Sequence, residues 1–222
     1  MKNIIVISSH PDDEILGAGG TILKHIDNGD SVYWLITTNI LNLKSYSQEQ
    51  ILKRNKEIEE IKNKVGFKKL FILDYPAANL SSSSLISMIP QISSIFNQVK
   101  PEIIYCVNRT DAHSDHFFTF NAVMACTKSF RYPFIKKVLL YECISETEFA
   151  PAIPERFFQP NYFINISNYF NDKINLMEVY ESELGEHPFP RSIRNIKALA
   201  TFRGATCGVE YAEAFQLIKY ID

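Results

Sequence analysis

The chain has little net charge, no long apolar run and no closely spaced cysteines, and each absence removes a class of function. Its 222 residues sum to a formal charge of -2, so no field of one sign singles out nucleic acid or an anionic membrane surface as a partner. Lys53-Arg54 and Lys68-Lys69 are basic pairs, but Glu57, Glu59 and Glu60 are interspersed, as on a solvated helix face. No stretch approaches the ~20 apolar residues that a membrane-spanning helix needs. The apolar run after Met1-Lys2-Asn3 is short and ends in His, Pro and Asp, unlike the longer core and small-residue cleavage site of a signal peptide. Cys106, Cys126, Cys143 and Cys207 are widely separated, with no CxxC pair. They read as reduced core thiols rather than a disulfide frame or a zinc ribbon. A cytoplasmic location is expected.

What the chain does have is an apolar fraction of 46% with 13% aromatics, ample for a packed core, and a length that fits one domain over residues 1–222. Up to Leu140, short apolar runs alternate with segments of helical period. The pattern predicts strands at Ile4–Ser8, Ser31–Thr37, Leu70–Leu73, Glu102–Val107 and Lys137–Tyr141. It predicts helices over Glu14–Asp27, Gln48–Lys64, Leu85–Val99 (with Pro90 inside) and His116–Ser129. Strands this apolar, alternating with helices, imply an α/β fold with a mostly parallel sheet covered on both faces. After Glu142 the pattern changes. Prolines 151, 154 and 160 punctuate an aromatic stretch, residues 144–161, read as a wall or lid of a site. Two more helices are expected, at Asn168–Glu183 and Ser192–Arg203, the second ended by Gly204 and Gly208.

Two clusters carry the chemistry. Ser9-His10-Pro11-Asp12-Asp13-Glu14 follows the first strand, and Asp111-Ala112-His113-Ser114-Asp115-His116 follows the fourth. The Asp74-Tyr75-Pro76 corner follows the third. In an open parallel sheet all three fall on the edge where ligands bind, beyond the carboxyl ends of the strands. Catalytic zinc keeps three protein ligands and one open position. His10 and Asp13 are spaced to converge through a turn entering a helix, and His116 can supply the third ligand. A metal held there would lower the pKa of a bound water toward ~7. Asp12 is then placed to take that proton, His113 to polarise a carbonyl or protonate a leaving amine, and Asp115 to orient a nearby imidazole. Taken alone, Asp12, Asp13 and Glu14 equally suit first-turn acids favoured by a helix dipole. Gly17, Gly19 and Gly20 do not follow GxGxxG order and read as close helix–strand packing. His25 reads as a surface residue, and His187 as a loop residue that could line the site.

His10-Pro11-Asp12-Asp13-Glu14, then Leu16-Gly17 and Gly19-Gly20-Thr21, resembles the opening signature of the PIG-L/LmbE-like zinc N-deacetylases. His113-Ser114-Asp115-His116 is similar to that family's second motif. The likeness continues through Arg54 with Glu57, Leu73-Asp74, and Gly208-Val209-Glu210-Tyr211-Ala212-Glu213-Ala214-Phe215. Ser9 stands where the family usually has Ala or Pro. The resemblance implies a Rossmann-like fold that removes an acetyl group from an N-acetylglucosamine-type sugar or conjugate. It implies one Zn2+ per chain on His10, Asp13 and His116. Asp12 would be general base, His113 electrophile or acid, Asp115 the residue orienting that histidine, and Arg54 and Asp74 substrate contacts. The implied partner is a small amino-sugar substrate, with no nucleic acid and no membrane span; a homo-oligomer is compatible with the sequence. Alternatives left open are an amidase acting on a larger N-acyl sugar or thiol conjugate, and a mononuclear Fe(II) enzyme, because two His and one carboxylate also form that metal's facial triad.

Overall fold

The structure is a computed structural model and describes residues 1–41 and 43–222. Seven strands form one sheet: β1 (Asn3–Ser8), β2 (Ser31–Asn39), β3 (Lys69–Pro76), β4 (Ile103–Val107), β5 (Lys137–Tyr141), β6 (Tyr162–Asn165) and β7 (Ala212–Tyr220). Their spatial order is β3-β2-β1-β4-β5-β7-β6. The five predicted strands run parallel, and β7 pairs antiparallel with both β5 and β6. Ile4, Ile5, Val6 and Ile7 of β1 and Ile104, Cys106 and Val107 of β4 are completely buried, as expected for central strands covered on both faces.

The helices fall close to their predicted places: α1 (Asp13–Asp27), α2 (Gln48–Val65), α3 (Ser84–Val99) and α4 (Ser114–Ala125), the last starting earlier and ending sooner than expected. Ser47 and Gln50 form a reciprocal capping box at the start of α2, satisfying donors that the first turn leaves free. Helices α1 and α2 pack with the short α5 (Phe170–Met177), whereas α3 packs with α4. The predicted helix over 168–183 is therefore shorter, and a separate single turn covers Glu181–Glu183. The last helix, α6 (Ile193–Cys207), runs through Gly204 and ends at Gly208, whose left-handed φ of 79° stops it. Gly204 is interior because a Cβ there would lie 2.5 Å from the Glu210 carbonyl oxygen.

Helix–strand contact accounts for Gly17 as expected. A Cβ on Gly17 would stand 2.2 Å from the Tyr141 ring of β5. His25 is not a surface residue. It is half-buried, with Nδ1 2.9 Å from Asp30 and Nε2 2.9 Å from the Tyr105 hydroxyl. Among the described residues, no helix is long and apolar enough to cross a membrane.

Candidate metal centre

In the strand order 3-2-1-4-5 the chain reverses direction between β1 and β4, and a crevice opens beyond the carboxyl ends of strands at such a switch point. The segment leaving β1 delivers His10 to Asp13, and the segment leaving β4 delivers Asp111 to His116. The His10 and His116 rings lie 5.6 Å apart, and those of His10 and His113 4.4 Å apart.

Asp13 opens α1 and is fixed from three sides. Its Oδ2 accepts the backbone N–H groups of Ser9 and His10, each at 2.9 Å, and its Oδ1 faces the Cys143 thiol at 3.3 Å. Burial works against its charge, but His116 and His10 outweigh burial and hold the carboxyl below its usual range. His116 is completely buried on the first turn of α4. Its Nδ1 donates to Asp111 Oδ2 at 2.8 Å, and Asp111 Oδ1 accepts from Asn108 and Thr147. Its Nε2 sits 3.4 Å from Asp13 Oδ2, within ion-pair range but, among the described residues, without a hydrogen bond. Burial opposes a charge on this ring, yet Asp13 and Asp111 raise its affinity for a proton, and the same gap between nitrogen and carboxylate suits a metal cation.

Donor atoms of His10, Asp13 and His116 all lie within 4.8 Å of one another. Two ligands at tetrahedral zinc stand about 3.3 Å apart for bonds near 2.0–2.1 Å, close to the 3.4 Å between His116 and Asp13 and the 3.8 Å between His10 Nδ1 and Asp13. Each imidazole of this set is also backed by a carboxylate: His10 Nε2 donates to Asp115 Oδ2 at 3.0 Å, and His116 Nδ1 to Asp111. Carboxylates in that outer position orient metal-binding histidines. His10, His113 and Asp115 form a second compact group. Its Asp115 carboxylate and His113 Nδ1 are already engaged, since Asp115 also accepts from the Ala78 and Leu80 backbones and His113 Nδ1 accepts from the Asp115 N–H. The residues present fit a divalent cation at His10, Asp13 and His116.

Asp115 thus meets His10 directly, whereas its carboxylate stays 3.9 Å from His113 Nδ1. The expected link from Asp115 to His113 runs through the backbone N–H instead. With Nδ1 accepting, His113 presents Nε2–H as its donor. Burial, with His10 beside it, pushes the His113 pKa down to about 4, so its ring is neutral.

A cleft of about 240 Å³ opens over this centre, lined by Asp12, His113, Asn39, Tyr46, Arg54 and Arg191 among others. Asp12 caps α1 with φ at 131°, a strained conformation for a residue with a side chain. Its N–H donates to Glu14, whose carboxyl in turn accepts from the Tyr180 hydroxyl. Burial, only partly offset by Arg191, pushes the Asp12 carboxyl up to about 7. Arg54 lines the cleft. Asp74 is exposed and is not among the lining residues; Asn39, which does line the cleft, donates to its carboxylate at 2.6 Å. His187 is exposed and away from the cleft. Residues 144–161 contribute Glu146 to the cleft, while their aromatic part walls a different cavity against α6. Ser9 is accommodated by donating to Thr119 at 2.9 Å.

Several residues here carry no local signal. Arg191 reaches Asp12 at 2.8 Å across 179 positions, Glu183 comes from the single turn Glu181–Glu183, and Glu146 from the turn after β5. Asp111 lay inside the second cluster, and its spacing five residues before His116 on a helix start was the available clue.

The model of the PIG-L family, described as GlcNAc-PI de-N-acetylase, matches residues 5–127. Diacetylchitobiose deacetylase of Thermococcus kodakarensis is 26% identical over 233 residues, covering 100% of this chain and 85% of that protein. A probable N-acetyl-alpha-D-glucosaminyl L-malate deacetylase 2 of Bacillus cereus is 24% identical over 190 residues, covering 82% and 84%. Among solved structures, N,N'-diacetylchitobiose deacetylase from Pyrococcus horikoshii superposes with a TM-score of 0.78 at 22% identity, covering 98% of this chain and 84% of that one.

Proposed function

This chain belongs to the PIG-L family, and from that premise we propose that it is a zinc-dependent N-deacetylase acting on an N-acetylglucosamine-type sugar or sugar conjugate. The observation that carries the reading is the convergence of His10, Asp13 and the buried Nε2 of His116, which makes no hydrogen bond among the described residues, beside a cleft that Asp12 and His113 both line. Zinc on His10, Asp13 and His116 would supply Lewis acidity and a more acidic water.

The remaining chemistry belongs to the side chains. Asp12 removes a proton from the water that attacks the acetamide carbon, and burial, by raising its affinity for protons, suits it to hold that proton and return it. The proton passes to the amide nitrogen as the C–N bond breaks, giving acetate and a free amine. His113, neutral with Nε2–H available, donates to the carbonyl oxygen as negative charge develops there. Arg191 holds Asp12 in place, and Arg54 walls the sugar end of the cleft. Asp74 holds Asn39, which lines the cleft.

Metal analysis of purified protein, paired with acetate release from N-acetylglucosamine and N,N'-diacetylchitobiose, tests this. We expect close to one zinc per chain and acetate that disappears with chelation and returns with added zinc. Fully metal-loaded protein that releases no acetate from any N-acetyl sugar would overturn the reading. Faster release of a longer acyl chain would favour the amidase alternative.

A further inference from the structure

The cleft holds two guanidinium groups, and both are already paired with carboxylates. Arg54 donates to the Pro11 carbonyl oxygen at 3.0 Å and to Glu183, and it lies 3.3 Å from Glu57. Arg191 donates to Asp12 at 2.8 Å, to Glu183 at 2.7 Å and to Ser145 at 2.6 Å, with Glu146 at 3.7 Å. Glu183 is the shared counter-ion, one carboxylate oxygen to each guanidinium. Among the described lining residues the carboxylates Asp12, Glu146 and Glu183 outnumber the two arginines.

A ligand bearing a phosphate or carboxylate would compete with Glu183 for both arginines and would meet Glu183 and Glu146 as like charges. Such repulsion is a strong discriminator at close quarters. The position of the charge makes this unavoidable. In an N-acetylglucosamine conjugate the linkage carbon is next to the carbon bearing the acetamide, so an anion attached there lies within a few bonds of the reacting amide. The cleft, at about 240 Å³, falls below the usual range for a drug-sized ligand and suits one sugar ring.

We propose, resting on the deacetylase reading, that the substrate is an N-acetyl sugar with no anionic group on its linkage carbon. Glu183 is the specificity-determining residue: it neutralises Arg54 and Arg191 and thereby excludes anionic carriers.

The test compares kcat/KM for the methyl glycoside of N-acetylglucosamine with that for N-acetylglucosamine 1-phosphate, in the zinc-loaded wild type and in Glu183→Gln. Each variant's two substrates are read as a ratio, so any general change in rate cancels. The wild type should favour the neutral sugar at least tenfold. Glu183→Gln should narrow that ratio at least fivefold, chiefly through a lower KM for the phosphate. Equal or better use of the phosphate by the wild type, or an unchanged ratio in Glu183→Gln, overturns the proposal. Calorimetric binding of the same two sugars to wild-type protein without metal gives a second readout that does not depend on the variant's folding. If neither sugar yields acetate, the deacetylase reading falls, and tighter calorimetric binding of the phosphate would still overturn the charge preference separately.

Discussion

Removing Asp111 should weaken metal binding without touching a proposed ligand. Its Oδ2 accepts from His116 Nδ1 at 2.8 Å, and its Oδ1 holds Asn108 and Thr147 at 2.7 and 2.8 Å. In Asp111→Ala the His116 ring loses the acceptor that fixes its tautomer and orientation. Losing an outer carboxylate of this kind costs 10–100-fold in metal affinity, or about 1.4–2.7 kcal/mol. Two buried donors, on His116 and Asn108, and a half-buried one, on Thr147, also lose their acceptor, at roughly 1–3 kcal/mol for each buried one before water fills part of the space. A net destabilisation of about 2–4 kcal/mol follows, which in a chain of this size lowers Tm by about 4–16 °C. The assay is competition for zinc against a chromogenic chelator, alongside thermal unfolding of the metal-free proteins. Asp30→Asn is the control, since it alters a comparable His–Asp pair at His25, outside the cleft. Zinc affinity in Asp111→Ala within twofold of the wild type would refute the assignment of His116 as a ligand oriented by Asp111.

Asp12→Asn should lower acetate release about 10²–10⁴-fold while metal analysis still finds zinc; full activity would remove Asp12 as the base. Gly17→Ala would force a Cβ to within 2.2 Å of the Tyr141 ring and 2.8 Å of the Glu142 carbonyl oxygen, so a loss of about 1–3 kcal/mol is expected in denaturant unfolding. Of the four cysteines, Cys207 is exposed, whereas burial raises the pKa values of Cys106, Cys126 and Cys143. A thiol reagent should therefore find one fast-reacting group in native protein and four after denaturation. Burial lowers the His25 pKa although Asp30 opposes the shift. The unfolded chain then binds this proton more readily, so the contribution of His25 to stability is intact above pH ~6.5 and lost as pH falls below it. The drop in Tm between pH 7.5 and 5.5 should be smaller in His25→Gln.

The parallel half of the fold was legible because its signals are local. Each strand is an apolar run, each helix has its own period, and the switch point follows from strand order once the clusters sit after β1 and β4. The antiparallel half lacked such signals. β6 has only four residues beyond a proline-rich stretch, and β7 begins inside a segment read as a continuation of the family motif. The proposed ligands were readable because they lie in two dense clusters, whereas Arg191, Glu183 and Glu146 reach the cleft from distant turns. Their partners could be identified only from tertiary structure. Asn39 carried no signal either: it ends β2, lines the cleft and donates to one oxygen of Asp74, linking that corner to the cleft wall.

Adjacent carboxylates at positions 12 and 13 show how one turn separates two roles. Asp13 points back to the sheet edge, where two backbone N–H groups and two imidazoles favour its charged form. Asp12 points into the cleft, where burial raises its pKa to about 7 and Arg191 is its main opposing charge. Pairs of acids driven apart by their surroundings mark a division between a group that stays ionised and one that exchanges protons. That division requires the peptide between them to turn sharply, and the φ of 131° at Asp12 is where it does so. An ordinary N-cap would direct the Asp12 side chain to the helix's own first N–H groups, engaging the carboxylate needed in the cleft. Here the Asp12 side chain makes no capping bond, and Glu14, held by Tyr180, accepts the Asp12 N–H instead. The buried Glu14–Tyr180 pair therefore stabilises a conformation that costs about 1–3 kcal/mol, and so keeps the proposed base free of its own helix.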